Sequence, residues 1–99
     1  MRSINGDRAV PTVIELLGQR WMLRVLWELE PGSLGFLDLR RRMGNCSSSV
    51  LSDRLQQLQA AGLVEKRGPR GAYELTPAGI HLSEALQPLW HFSAHTYRR

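Results

Sequence analysis

Ser49, Ser52, Asp53 and Gln56 fall at i, i+3, i+4 and i+7, which gathers four short polar side chains on one side of a helix. Such a face can hydrogen-bond the edges of base pairs, since glutamine suits adenine and a carboxylate accepts from the cytosine amino group. A merely solvated helix face carries the same residue types. Asp53 lends that plainer reading weight, because a carboxylate facing phosphates is repelled.

The cations close to this face add a second chemistry. Arg40, Arg41, Arg42 and Arg54 are balanced only by Asp53 over residues 40–56, and Lys66, Arg67 and Arg70 only by Glu65 over residues 64–71. Arginines placed this way can hold a phosphate backbone and set register without reading sequence. Arg40 has a second reading, packed along the core edge and paired with Asp38. For Arg54 an internal salt bridge competes with a phosphate contact.

Other reactive residues lead less far. Cys46 precedes the polar helix, near an N-terminus that could lower its pKa; it is either a sensing thiol or a small turn residue that happens to be cysteine. His91 and His95 stand four apart, a spacing that can bind metal. No acidic or cysteine ligand lies beside them, so they read as solvated histidines, and neither a metal nor a cofactor is expected. There is no Gly-rich phosphate loop and no nucleophile–base pair, so the sequence does not read as an enzyme.

The elements that position these residues follow from local signals. Pro11 suits the first turn of a helix ending at Gly18. Trp21–Glu30 forms a second helix, apolar over more than half its circumference, closed by Pro31-Gly32. Leu34 can add a short strand. Phe36, Leu39 and Met43 point a third helix inward, leaving Arg41 and Arg42 outward. Ser47 caps a fourth helix whose buried stripe is Leu51, Leu55 and Leu58, with Gly62 just past its end. Leu63–Arg67 and Ala72–Leu75 flank the turn Gly68-Pro69-Arg70-Gly71, giving a hairpin. A last helix opens at Thr76-Pro77 and runs toward His95, interrupted by Pro88.

Helix, helix and basic hairpin in that order give the expected fold, mainly α with a small β-hairpin: a winged helix-turn-helix whose N- and C-terminal helices form a dimer interface. Residues 1–10 read as a flexible polar arm and residues 11–99 as one domain. The chain has 99 residues, 42% hydrophobic and 22% charged, with a formal charge of +4, which fits a globular domain that tolerates polyanions. No apolar run approaches the roughly 18–20 residues of a membrane span, and no apolar signal region opens the chain, so a cytoplasmic protein is expected.

Four strings carry a family resemblance: Leu17-Gly18-Gln19-Arg20-Trp21; Phe36-x-x-Leu39-Arg40-Arg41; Leu51-Ser52-x-Arg54-Leu55-x-x-Leu58-x-x-Ala61-Gly62-Leu63-Val64-Glu65; and Tyr73-x-Leu75-Thr76-x-x-Gly79. Together they resemble the HxlR-type branch of bacterial winged-helix regulators over residues 11–92. The third and fourth strings also occur in MarR-like and PadR-like proteins; the glycine–tryptophan entry to the second helix favours the HxlR type. The chain departs from that pattern twice. It lacks the Cys-Pro that often precedes the first helix, so a thiol switch of that type is unsupported, and its wing is short.

The resemblance implies a sequence-specific DNA-binding transcriptional regulator, a repressor, acting as a homodimer. The expected DNA contacts are Arg41, Arg42, Ser47, Ser48, Ser49, Ser52, Asp53, Gln56, Arg67 and Arg70. Leu82, Leu86, Leu89, Trp90 and Phe92 form the expected dimer interface, because they leave the last helix a broad apolar face that a second subunit would cover. A small-molecule effector could sit in that interface near Trp21, Trp27 and Trp90. The competing class is a winged helix that binds a protein partner instead of an operator.

Overall fold

A computed structural model describes residues 12–96, so the expected arm over residues 1–10 and the opening at Pro11 lie outside the described residues. The elements are α1 (Thr12–Leu17), α2 (Met22–Leu29), α3 (Phe36–Met43), α4 (Ser48–Ala60), β1 (Val64–Arg67), β2 (Ala72–Leu75) and α5 (Pro77–His95). Among the described residues no helix is long and apolar enough to cross a membrane.

Helix α2 sits in the middle, as its apolar girth predicts: Met22, Val25, Leu26 and Leu29 are all buried. Around it close Leu39 and Met43 of α3, Leu51, Leu55 and Leu58 of α4, and Val64 and Tyr73 of the hairpin. Trp27, on the flank of α2, stays 46% exposed. The helix begins one residue later than its apolar pattern suggests. Trp21 has φ 77°, a left-handed conformation unusual for a bulky residue, so it ends the α1–α2 turn instead of opening the helix.

Both ends of α4 are closed by hydrogen bonds. The Ser47 hydroxyl accepts from the Val50 N–H at 3.1 Å. At the other end the Leu63 N–H donates to the Leu58 carbonyl (2.9 Å) and the Gly62 N–H to the Gln59 carbonyl (3.0 Å). That pair of bonds is a Schellman ending, and Gly62 supplies the positive φ it requires.

Strands β1 and β2 pair antiparallel, with Val64 opposite Leu75 and Arg67 opposite Ala72. Leu34 adds the expected third piece, exchanging backbone hydrogen bonds with Tyr73 at 3.0 and 2.8 Å. The start of α5 is fixed against the hairpin. The Thr76 hydroxyl accepts from the Gly79 N–H at 3.1 Å and donates to the Gly62 carbonyl at 2.6 Å.

Only Gly79 and Ser83 of α5 are fully buried. Leu82 and Leu86, expected at a subunit interface, are half-buried and pack on the protomer's own core. Of the five residues expected at the interface they are the two nearest the start of the helix. Farther along, Leu89 is 41% exposed.

Candidate nucleic-acid interface

Helix α4 buries Leu51, Leu55 and Leu58 and turns Ser49, Ser52, Asp53 and Gln56 outward, all exposed. Ser47 and Ser48 lie at its first turn, exposed as well; the Ser47 hydroxyl is engaged as the cap and lies 3.4 Å from the Ser49 hydroxyl. The N–H groups of that turn lack intrahelical carbonyl partners, which gives the helix end a partial positive charge suited to an anion.

The three arginines closing α3 differ in their engagements. Asp38 pairs with Arg41, at 2.6 Å, and not with Arg40. The reason is helical geometry: residues three apart are neighbours on a helix surface, and residues two apart are not. Both partners remain well exposed, so the pair is weak and exchangeable with solvent or phosphate. Arg40 and Arg42 are exposed, and among the described residues neither makes a side-chain ion pair. The Arg42 carbonyl accepts from Arg24 Nη2 at 2.6 Å, which ties the end of α3 to α2.

In the wing, Gly68 and Gly71 both take positive φ and the Gly71 N–H donates to the Gly68 carbonyl at 3.1 Å, placing exposed Arg70 within the turn. Arg67 is held elsewhere. Glu65 and Glu74 sit directly opposite each other on the two strands, an unfavourable like-charge pair. The Arg67 guanidinium answers both, at 2.9 Å from Glu74 and 3.5 Å from Glu65. The hydrogen bond that Arg67 donates to Glu74, reinforced by the charges of Glu74 and Glu65, raises its pKa further. Lys66 lies over the Tyr73 ring, 5.4 Å from its centroid.

Cys46, read from the sequence as either a sensing thiol or a small turn residue, is buried. It is 1% exposed and part of the core. Burial pushes the thiol above its ordinary value, outweighing the opposing charges of Arg54, Arg40 and Arg20. The helix N-terminus therefore does not make it a ready thiolate.

Sequence reasoning missed a network behind Asp53. Arg54 donates through Nη1 to Asp53 Oδ2 at 2.6 Å and through Nε to the Arg20 carbonyl at 2.8 Å. Gln57 Nε2 donates to the same Oδ2 at 2.7 Å. Gln57 also exchanges amide hydrogen bonds with Gln19, at 2.6 and 3.0 Å. For Arg54 the internal pair is thus the one realised. The only hint in the chain was that Gln19 and Arg20 lie inside the string Leu17–Trp21.

Elsewhere, Trp27 and Trp90 meet edge to face with centroids 5.3 Å apart, beside an apolar groove lined by Leu23, Arg24, Ser93 and Ala94. Trp21 is not part of that lining; it packs against the core, under Arg20. The His91 and His95 rings stack at 4.3 Å. No group of three metal-ligating side chains occurs among the described residues.

With this geometry in place, comparison with known proteins decides the family. The model of the HxlR-like helix-turn-helix family matches residues 16–99. The chain belongs to the HxlR-like helix-turn-helix family. The uncharacterized HTH-type transcriptional regulator YtfH of Escherichia coli is 33% identical over 82 residues, covering 78% of this chain and 65% of YtfH. The chain thus spans slightly under two-thirds of that relative. A crystal structure of a possible HxlR family transcriptional factor from Thermoplasma volcanium has a TM-score of 0.79 at 30% identity, covering 97% of this chain and 88% of that one. The quinone-bound structure of YodB from Bacillus subtilis has a TM-score of 0.75 at 26% identity, covering 82% and 90%. The winged helix-turn-helix fold expected from the sequence is the fold of this HxlR-like protein.

Proposed function

We propose that this HxlR-like protein is a sequence-specific, double-stranded-DNA-binding transcriptional regulator that works in the cytoplasm as a homodimer. The observation that carries the reading is the outward face of α4. Its exposed Ser49, Ser52 and Gln56 can meet base edges, while Arg41 and Arg42 on one side and Arg70 on the other can hold phosphates. Arg67 stands behind Arg70, its charge shared with two glutamates.

Pairing of two copies is supported by apolar side chains the protomer leaves in solvent. Leu89 and Ile80 of α5 and Ile14 of α1 are 41%, 50% and 55% exposed. Trp90 and Phe92 belong to the same end of α5. Two-fold pairing would set half-sites about one helical turn, roughly 34–36 Å, apart. Repression by occlusion is the outcome that needs nothing beyond occupancy of the operator. The groove beside Trp27 and Trp90 suits a planar aromatic effector, and the quinone carried by YodB makes that class the first to try.

The alternative, a protein-binding winged helix, rests on Asp53 on the reading face and on the short wing. The first of these weakens because Asp53 is paired with Arg54, while the short wing stands. The test is selection from a random duplex pool at two salt concentrations. A palindromic motif with steep salt dependence is expected. Equal, weak retention of all sequences, lost near physiological salt, would remove the operator reading.

A further inference from the structure

Asp53 lies nearly opposite the buried stripe of α4, given about 100° per residue, which makes it the most outward-facing residue of that helix's middle turn. An exposed carboxylate there should be mobile. Instead one of its oxygens, Oδ2, is gripped from two sides by Arg54 (2.6 Å) and Gln57 (2.7 Å). Each of those donors is anchored in turn on the α1–α2 turn, Arg54 by the Arg20 carbonyl and Gln57 by the reciprocal amide pair with Gln19. Two arms from the same turn converge on a single oxygen. Oδ1 takes no hydrogen bond among the described residues, and the side chain remains 54% exposed.

We infer that Asp53 is a specificity determinant, a fixed hydrogen-bond acceptor that selects a cytosine in each half-site, and that Gln19 and Gln57 are the residues that position it. This rests on the DNA-binding reading above. A carboxylate with one oxygen bound and the other open offers a single acceptor direction, and the major groove offers an amino donor on cytosine and on adenine. Adenine sets its N7 acceptor beside that amino group and repels the carboxylate, so cytosine is the base selected. Arg54 on the same oxygen offsets the charge that would otherwise set Asp53 against the phosphates. The pre-set geometry also limits the side-chain freedom lost on binding.

The experiment is selection from a random duplex pool followed by titration of single-base variants of the selected site. It compares the full chain with Asp53→Asn, Gln19→Ala and the double variant, each checked by thermal melting. Wild type is expected to select a motif with an invariant cytosine in each half-site. Asp53→Asn should lower discrimination at that base pair about 5- to 10-fold while leaving the other positions as they were. Gln19→Ala removes one arm without touching the outward face of α4, and should relax the same base pair by a smaller factor. The double variant should match Asp53→Asn there, since a positioning residue has nothing left to position.

A selected operator without a fixed cytosine overturns the inference. So does an Asp53→Asn variant that gains affinity for every sequence alike, which would mark Asp53 as a plain surface charge. Uniform weakening by Gln19→Ala would reduce the Gln19–Gln57 pair to a structural tie and overturn its positioning role. If wild type selects no motif at all, the DNA-binding reading falls and takes this inference with it.

Discussion

The α-carbon of Gly79 packs directly against the backbone carbonyl of Leu63, leaving no room for a β-carbon. The same carbonyl accepts the Thr76 N–H at 3.0 Å, so the end of α4, the hairpin and the start of α5 meet at one point. Gly79→Ala should destabilise the domain by about 2–3 kcal/mol, because the obstacle is backbone and cannot rotate away. Urea unfolding checks this; an unchanged midpoint would mean that α5 shifts freely on the hairpin.

The arginines should separate by the company they keep. Arg42→Ala and Arg70→Ala, which remove cations without ion pairs among the described residues, should each lower the salt slope of DNA binding by about 1 per protomer. Arg67→Ala should leave that slope nearly unchanged. It should instead loosen the wing, where Glu65 and Glu74 would face each other uncompensated. Binding isotherms over a salt series read the first effect, and amide exchange in β1 and β2 reads the second.

Cys46 should behave as a core residue. Its thiol should react with an aromatic disulfide reagent slowly in the native protein and rapidly in denaturant, and oxidant should not release bound DNA. The raised pKa also has a pH signature. Between the ordinary value of 9.0 and the higher folded value, the unfolded chain has lost the proton that the folded chain retains. Stability is therefore intact below about pH 9 and falls as pH rises through that window. Comparing wild type with Cys46→Ala in urea at pH 7 and pH 10 isolates the effect, which the variant should lack.

Two leucines three residues apart on α5 should give opposite outcomes. Leu86→Ala trims the protomer's own core and should lower stability by about 1–2 kcal/mol without changing assembly. Leu89→Glu should leave monomer stability nearly intact, convert a dimer to monomers in sedimentation, and weaken operator binding by at least tenfold. Dimers that persist in Leu89→Glu would place the interface elsewhere.

Much of the fold was legible because its signals are local. Ser47 and Thr76 are caps, Gly62 ends a helix, and the period of Leu51, Leu55 and Leu58 names the buried side of α4. Leu34 joined the hairpin as expected. What escaped depends on contacts between distant segments. Gln19 and Gln57 are 38 residues apart, and no local rule pairs two glutamines. Cys46 sits in a turn, where exposure is the ordinary expectation, yet the turn folds it onto the core. Leu82 and Leu86 were readable as apolar, but a pattern cannot say whether the covering surface is the same chain or a second copy.

Pro88 divides α5 mechanically. It lacks an N–H, so the carbonyl of Glu84 loses its ladder bond and the helix is softest at that turn. Just before it, Gln87 Nε2 donates to the Glu30 carboxylate at 3.2 Å, at the C-cap of α2. Just after it, the edge-to-face contact of Trp90 with Trp27 acts as a latch. The end of α5 is therefore a lever whose fulcrum is the weakened turn, and the two rings are among the contacts that hold it. Parting those rings would turn the tip of the helix about that weakened turn, while a push at Leu82 would meet the core it packs against.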